Sequence, residues 1–263
     1  METITSRTNP TVRLVRLLLA RRAARYRERA FVAEGLRTIT TLVERGLKPR
    51  ALLLDAARLV ELPEGLTAAV EAEGGRVLSI ASPLFRELSD VEEPQPALAV
   101  FEMPDLPLPD QPEALLALDG IQDPGNLGSI LRSAAASGID GVLLLPGTVD
   151  RFGPKVVRAT AGLIGSLPVL TAGEAMSYVH QWHADGGRVI LADGAAPTAY
   201  TECDWTQPFI LVLGSEASGA SAAVRQLATE AVKIPMERDV ESINVAAAAA
   251  VLLFEARRQR IHG

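Results

Sequence analysis

The chain holds one cysteine in 263 residues, Cys203, which excludes an intramolecular disulfide and fits a reducing compartment. Taken alone, Cys203 reads as a small apolar packing residue. The three histidines, His180, His183 and His262, are scattered and late. His180 and His183 stand at helical spacing without further ligands beside them, so no metal is expected. No apolar run approaches the roughly 18 residues of a membrane helix. The short Leu17-Leu18-Leu19 run is set among arginines and is expected to be neither signal peptide nor span, which points to a cytoplasmic protein with no membrane partner. Aromatic residues are only 4% of the chain. Tyr26, Tyr178, Trp182, Tyr200 and Trp205 are too dispersed to form a stacking platform for single-stranded nucleic acid and read as packing. No Gly-x-Gly-x-x-Gly opens a strand–helix unit, and no glycine loop ends in Gly-Lys-Ser/Thr, which argues against a nucleotide-dependent oxidoreductase and a P-loop enzyme.

The net charge of −6 conceals a strong asymmetry. Residues 1–50 contain 12 Lys and Arg against 4 Asp and Glu, so the rest of the chain is markedly acidic. Arg13, Arg16, Arg21, Arg22, Arg25, Arg27 and Arg29 surround Val12, Val15, Leu17, Leu18 and Leu19, the pattern of one basic amphipathic helix. Arginine forks suit phosphate, so Arg22, Arg25 and Arg27 are candidate RNA-binding residues; a solvated face on a packing helix is the alternative.

Punctuation by glycine and proline divides the chain. Phe31–Gly35 is expected to open a second helix running through Glu44. A strand at 50–54, a helix at 67–73, a strand at 76–79, a short helix at 83–88 and a strand at 97–101 follow, describing a small α/β/α domain over 1–103. Pro104, Pro107, Pro109 and Pro112 mark a semi-rigid linker, 104–112. From 113 to 263 strands are expected at 114–118, 141–145, 167–170, 188–192, 209–213 and 232–234. These near-continuous apolar runs indicate a parallel sheet covered on both faces.

Three segments carry chemistry. Leu118 to Arg132 reads as strand, tight turn and helix, presenting Asn126 and Arg132; the alternative is an N-cap asparagine and a solvated arginine. Phe209 to Gly219 is a buried strand and a glycine-bracketed loop holding Glu216. Val232 to Ala246 is a short strand, a polar loop and an alanine-rich helix. In open α/β sheets such loops lie at the carboxyl ends of strands, where ligands bind. Lys155 and Arg158 share one helix face and offer either phosphate contacts or a solvated surface.

Taken in order, Asn126-x-Gly128-x-x-x-Arg132, Gly214-x-Glu216-x-x-Gly219 and Ile234-Pro235-Met236 followed by Ser242-Ile243-Asn244-Val245 resemble the SpoU (TrmH-like) family of RNA ribose 2′-O-methyltransferases. Ile243 stands where leucine is usual, a volume-conserving change. The resemblance implies an α/β fold with a C-terminal trefoil-knot methyltransferase domain and parallel sheet, preceded by a smaller α/β/α ribosomal-protein-like RNA-binding domain. It implies S-adenosyl-L-methionine as cofactor, lined by Ala192, Leu213, Gly214, Ile234, Met236 and Ile243, and a homodimer in which the helix from Ile243 to Glu255 is a contact. Its substrate is then 23S ribosomal RNA; transfer RNA, or a non-catalytic RNA-binding role on the same fold, are the alternatives.

The resemblance also assigns the catalytic set Asn126, Arg132, Glu216, Ser242 and Asn244. Arg132 acts either as a general base or, at lower energetic cost for a guanidinium, as an electrostatic stabiliser of the forming alkoxide. Asn126 would orient the ribose or its phosphate. Glu216 would fix Arg132, bind a hydroxyl, or simply cap the helix beginning near Ser221. Ser242 and Asn244 would position RNA and cofactor groups, with an N-cap role for Ser242 as the alternative.

Overall fold

The computed structural model describes residues 3–89, 91, 93–238 and 240–262. The chain divides into two compact units, Met1–Asp105 with Asp150–Gly165, and Leu106–Val149 with Ser166–Gly263.

The first unit contains β1 (Thr3–Ile4), α1 (Pro10–Ala20), α2 (Arg22–Glu28), β2 (Ala30–Glu34), α3 (Leu36–Glu44), β3 (Pro49–Asp55), α4 (Leu66–Ala72), β4 (Arg76–Ile80), α5 (Ser82–Arg86), β5 (Ala97–Glu102) and α7 (Pro154–Ala159). Its sheet runs in the order β1-β4-β3-β5-β2. Ala30–Glu34, expected as the opening of a helix, is a strand antiparallel to β5, and all five residues are buried. A four-residue apolar run followed by a buried glutamate carries no period that separates strand from helix. Ala30 and Val32 join the core under α1, while Phe31 stacks between Phe101 (5.8 Å) and Phe152 (5.0 Å). Gly35 then turns the chain into α3 at φ +98°, a conformation costly for any other residue. The Phe152 stack shows why residues 150–165 belong with this unit: they supply the apolar lid over one face of β2.

The basic N-terminal segment, expected as one helix, is two. Arg21 takes an extended conformation (φ −129°, ψ 116°) between α1 and α2. The break turns Arg25 inward, where its Nη1 donates to the open carbonyls of Leu18 (2.5 Å) and Leu19 (3.3 Å) at the end of α1. Its Nε and Nη2 reach Asp150 Oδ2 at 2.8 and 2.7 Å, and the Tyr26 hydroxyl donates to Asp150 Oδ1 at 2.9 Å. Arg25 is therefore a correction to the expected RNA-binding set. It is a buried arginine that closes a helix end and neutralises an internal carboxylate, and it has no surface to offer a phosphate.

The second unit contains β6 (Ala114–Asp119), α6 (Pro124–Ser137), β7 (Gly141–Leu144), β8 (Val169–Thr171), α8 (Ala172–Ala184), β9 (Arg188–Ala192), β10 (Thr198–Ala199), β11 (Phe209–Gly214), α9 (Ala222–Leu227), β12 (Glu230–Lys233) and α10 (Val245–His262). Seven strands in the order β10-β12-β9-β11-β6-β7-β8 pair in parallel throughout. Strands β6, β7 and β11 are buried almost end to end, as expected of a parallel sheet covered on both faces. Strand β11 inserts between β6 and β9, so the strand order reverses there, and the carboxyl ends of β9, β11 and β12 open on one side. Residues 234–238 and 240–244 lie between β12 and α10 on that side. The Glu241 carbonyl lies beside Gly194, just after β9, and the Val245 amide reaches the loop after β11. This return path, over strands laid down earlier, is where the resemblance puts the knot. Helix α10 then packs on α6, with its Ala249, Leu252, Leu253 and Ala256 buried. Among the described residues no helix is long and apolar enough to cross a membrane.

The side chains of Arg25 and Asp150 are 8% and 7% exposed. Removing one partner leaves the other charge buried and alone, which typically costs about 3–5 kcal/mol. Arg25→Ala should accordingly lower the unfolding free energy by about 3–5 kcal/mol, read as a lower denaturant midpoint at unchanged m. A variant as stable as the parent would show that water replaces the guanidinium at Asp150.

Candidate active site

The carboxyl ends of β9, β11 and β12, with the returning segment, enclose a cavity of about 850 Å3 counting its open mouth. All six residues expected at a cofactor, Ala192, Leu213, Gly214, Ile234, Met236 and Ile243, line it, with Glu216 and Ser242. Its apolar walls, completed by Val245 and Leu252, suit an adenine ring and a thioether. Its polar groups are Asp193, Arg225, Lys233 and Glu241, none of which the sequence singled out. Asp193 was reachable, because it directly follows a strand whose carboxyl end faces the site. Arg225 carried no signal, sitting as one arginine in a short helix. The backbone N–H of Ala195, and then the Arg225 guanidinium, hold the Asp193 carboxyl below its ordinary range.

Beside the cavity the three motif segments meet at one carboxylate oxygen. Glu216 Oε1 accepts from Asn126 Nδ2 (3.2 Å), Asn244 Nδ2 (2.9 Å) and the Val245 amide (3.1 Å). Asn244 Nδ2 also donates to Asn126 Oδ1 at 2.9 Å. Each residue has a local reason for its place. Asp123, and not Asn126, caps α6, its Oδ1 taking the Asn126 amide at 2.7 Å, so Asn126 sits three residues into the helix with its amide side chain free to reach across. Asn244, and not Ser242, caps α10, its Oδ1 accepting from Ala246 (2.9 Å) and Ala247 (3.3 Å). Glu216 adds a carboxylate at the positive end of the same helix dipole. The helix at 222–227 is capped by Ser221 itself, through the Val224 amide.

The Glu216 loop is held from behind. Buried Asp119, at the end of β6, accepts the Ser221 amide at 2.6 Å. Ser215 and Gly219 exchange backbone hydrogen bonds of 3.1 and 2.9 Å, and a Cβ on Gly214 would overlap the backbone of Gly219 and Ala220. That glycine is required by the loop's own packing, before any ligand approaches.

Two expected members stand apart from the cluster. Arg132 lies on α6 about 9 Å beyond Asn126 along the axis, at 1.5 Å per residue. It is exposed, with no ion pair or hydrogen bond among the described residues, and does not touch Glu216. Ser242 lines the cavity, with no hydrogen-bond partner among the described residues. In the first unit, Arg22 is exposed over the Tyr26 ring (5.4 Å), and Arg27 is exposed beside Glu28 (3.0 Å). Arg13 and Arg21 are exposed as well, whereas Arg16 is paired with Glu87. Arg158 reaches Glu34 at 3.4 Å, within the first unit. Among the described residues no three His, Cys, Asp or Glu side chains are placed to hold a metal.

Comparison with known proteins identifies the family of both parts of the chain. Residues 113–254 match the SpoU rRNA Methylase family, and residues 9–99 match the MRM3-like substrate binding domain. The chain is 37% identical, over 99% of its length and 93% of the relative's, to the 23S rRNA (uridine(2479)-2′-O)-methyltransferase of Streptomyces viridochromogenes. It is 32% identical, over 89% of its length and 90% of the relative's, to the 23S rRNA (guanosine(2553)-2′-O)-methyltransferase RlmP of Bacillus subtilis. Among solved structures it is similar to the SpoU methyltransferase AviRb from Streptomyces viridochromogenes in complex with the cofactor AdoMet. That match has a TM-score of 0.85 and 34% identity, and it covers 97% of this chain and 99% of the other.

The two roles of Asn244 can be separated. Asn244→Ala removes both the cap and the link to Glu216, whereas Asn244→Asp keeps a cap and loses the link. Hydrogen exchange at the Ala246 and Ala247 amides should speed up about fivefold in the alanine variant, as a cap worth about 1 kcal/mol implies. It should stay near parental rates in the aspartate variant. Equal exchange in parent and Asn244→Ala would mean the cap does not form.

Proposed function

The chain belongs to the SpoU rRNA Methylase family, and from that premise we propose that it methylates the ribose 2′-hydroxyl of a nucleotide in 23S ribosomal RNA. The observation that carries the reading is the convergence of Asn126, Glu216 and Asn244 on one another at the edge of the cofactor cavity. Two relatives of similar coverage are named for ribosomal RNA, which favours that substrate over transfer RNA. They are named for different nucleotides, so the position in the RNA is left to mapping. With such a substrate we infer a cytoplasmic location.

The cavity fits S-adenosylmethionine: apolar walls for the adenosyl and thioether parts, ionic side chains for the amino-acid end, and room for the whole molecule. When bound, the cofactor supplies a methyl group on a sulfonium, open to in-line attack by a hydroxyl. Asn126 and Asn244, locked to Glu216, present fixed amide groups at the cavity edge, where the ribose is aligned. Ser242 adds a free hydroxyl to the cavity wall for the same purpose. Arg132 keeps all of its N–H donors uncommitted for the target phosphate and the hydroxyl oxygen as it loses its proton. A charged Arg132 stabilises that oxygen, and Glu216 serves as the organiser of the two asparagines.

Arg22 and Arg27, with Arg13 and Arg21, form the exposed basic face that grips RNA phosphates. Homodimerisation is supported by an uncovered apolar stripe on α10: Val251, Phe254 and Ile261, 36%, 46% and 58% exposed, recur along one side of the helix.

Arg132→Ala should leave cofactor affinity unchanged and slow single-turnover methylation of saturating RNA by about 10²-fold or more, the scale of a lost transition-state donor. Arg132→Lys should recover little, because the planar fork is gone. A near-parental rate for Arg132→Ala would move the catalytic role elsewhere. Converting Arg21, Arg22 and Arg27 together to alanine should weaken RNA binding and reduce its salt slope by about one unit per arginine. An unaltered slope would make α2 a packing element only.

A further inference from the structure

The cofactor carries an α-carboxylate at its amino-acid end, and which of the cavity's ionic side chains meets that group is a separate question. The cavity lining holds two cations, Arg225 and Lys233. Arg225 is already braced. Its Nη1 donates to Asp193 Oδ2 at 2.5 Å and its Nε to the Ala220 carbonyl at 3.1 Å. Asp193 is itself fixed, its amide bonded to the Val232 carbonyl and its Oδ1 accepting from the Ala195 amide, both at 2.9 Å. The guanidinium therefore bridges the turn after β9 and the closing end of the Glu216 loop. Its Nη2 is not committed to any acceptor among the described residues. That nitrogen lies over Gly219, another residue of the cavity lining, and a Cβ on Gly219 would come within 2.8 Å of it. The missing side chain leaves the donor uncovered.

We propose that Arg225 is the anchor for the cofactor's α-carboxylate, with Asp193 as the positioning residue that holds the guanidinium fork in place. A planar fork suits a carboxylate better than the point charge of Lys233, and a fork braced beforehand loses little freedom on binding. The side chain is 45% exposed, so water screens the contact and a moderate contribution follows. The assignment also gives the Glu216 loop a direct mechanical link to the ligand, since the same guanidinium holds the Ala220 carbonyl.

The proposal rests on the reading of this cavity as the cofactor site, and calorimetry with two ligands keeps the two apart. One ligand is S-adenosylhomocysteine. The other is its decarboxylated analogue, S-adenosyl-3-thiopropylamine, which lacks only the carboxylate. The intact protein should bind both, and the first more tightly. Arg225→Ala should weaken S-adenosylhomocysteine about tenfold, the loss of one partly screened charge-assisted contact, and leave the analogue within twofold. Unchanged analogue binding also reports that the cavity remains folded. Asp193→Asn should give a smaller loss of the same selectivity, and Arg225→Lys a partial recovery. Equal weakening of both ligands in Arg225→Ala would make the residue a structural brace and overturn the assignment. So would no change in either, or the carboxylate-selective loss appearing in Lys233→Ala instead. Failure of the parent protein to bind either ligand would overturn the cofactor reading itself, and the anchor with it.

Discussion

One carboxylate oxygen holds the site together. Glu216 Oε1 accepts three N–H groups, two from asparagine side chains on α6 and before α10 and one from the first amide of α10. Asn126 stands more than a hundred residues before Asn244 and Val245, and Glu216 lies between them in sequence. Their meeting fixes where the chain crosses the strand ends after β12, because Asn244 and Val245 must arrive at a loop that closed thirty residues earlier. Charge and dipole agree at that point, an anion facing the open amides of an eighteen-residue helix. The cofactor cavity is the space left between this crossing segment and the strands beneath it. A change that lets go of Glu216 therefore disturbs the wall of the cavity as well as its edge.

Much of this was legible in the sequence because it is local. The buried strands β6, β9 and β11 announce themselves as apolar runs at 114–118, 189–192 and 209–213. The three motif segments are strand–loop–helix units whose loops must lie at the carboxyl ends of a parallel sheet, so their clustering follows from topology once the sheet is parallel. What was not legible depends on partners distant in sequence. Ala30–Glu34 reads as part of a helix until Phe152, more than a hundred residues later, supplies the ring that stacks on Phe31. Arg25 reads as one more cation in a basic helix until Asp150 is placed against it. Cap identities failed for a related reason. Asparagine, aspartate and serine all cap helices, so Asp123 against Asn126, and Asn244 against Ser242, are decided by two or three residues of helix phase that composition does not set.

Three arginines show how the same side chain is given different work by its surroundings. Arg25 has its guanidinium fully spent, on two carbonyls and a carboxylate, in a site too buried for any ligand; its energy belongs to folding. Arg225 is half spent. Two acceptors hold its plane while one nitrogen stays open over a glycine, the condition under which a cation binds an anion without first having to be ordered. Arg132 is not spent at all, exposed and without a partner among the described residues, so its orientation is left to the substrate. A group meant to meet charge that exists only while a proton is leaving gains from having no competing carboxylate of its own. Had Glu216 paired with Arg132, as one reading of the motifs allowed, the ion pair would have been weakened each time the guanidinium turned to the ribose. By giving Glu216 to two asparagines and a helix end, the fold keeps its one organising anion away from its one uncommitted catalytic cation.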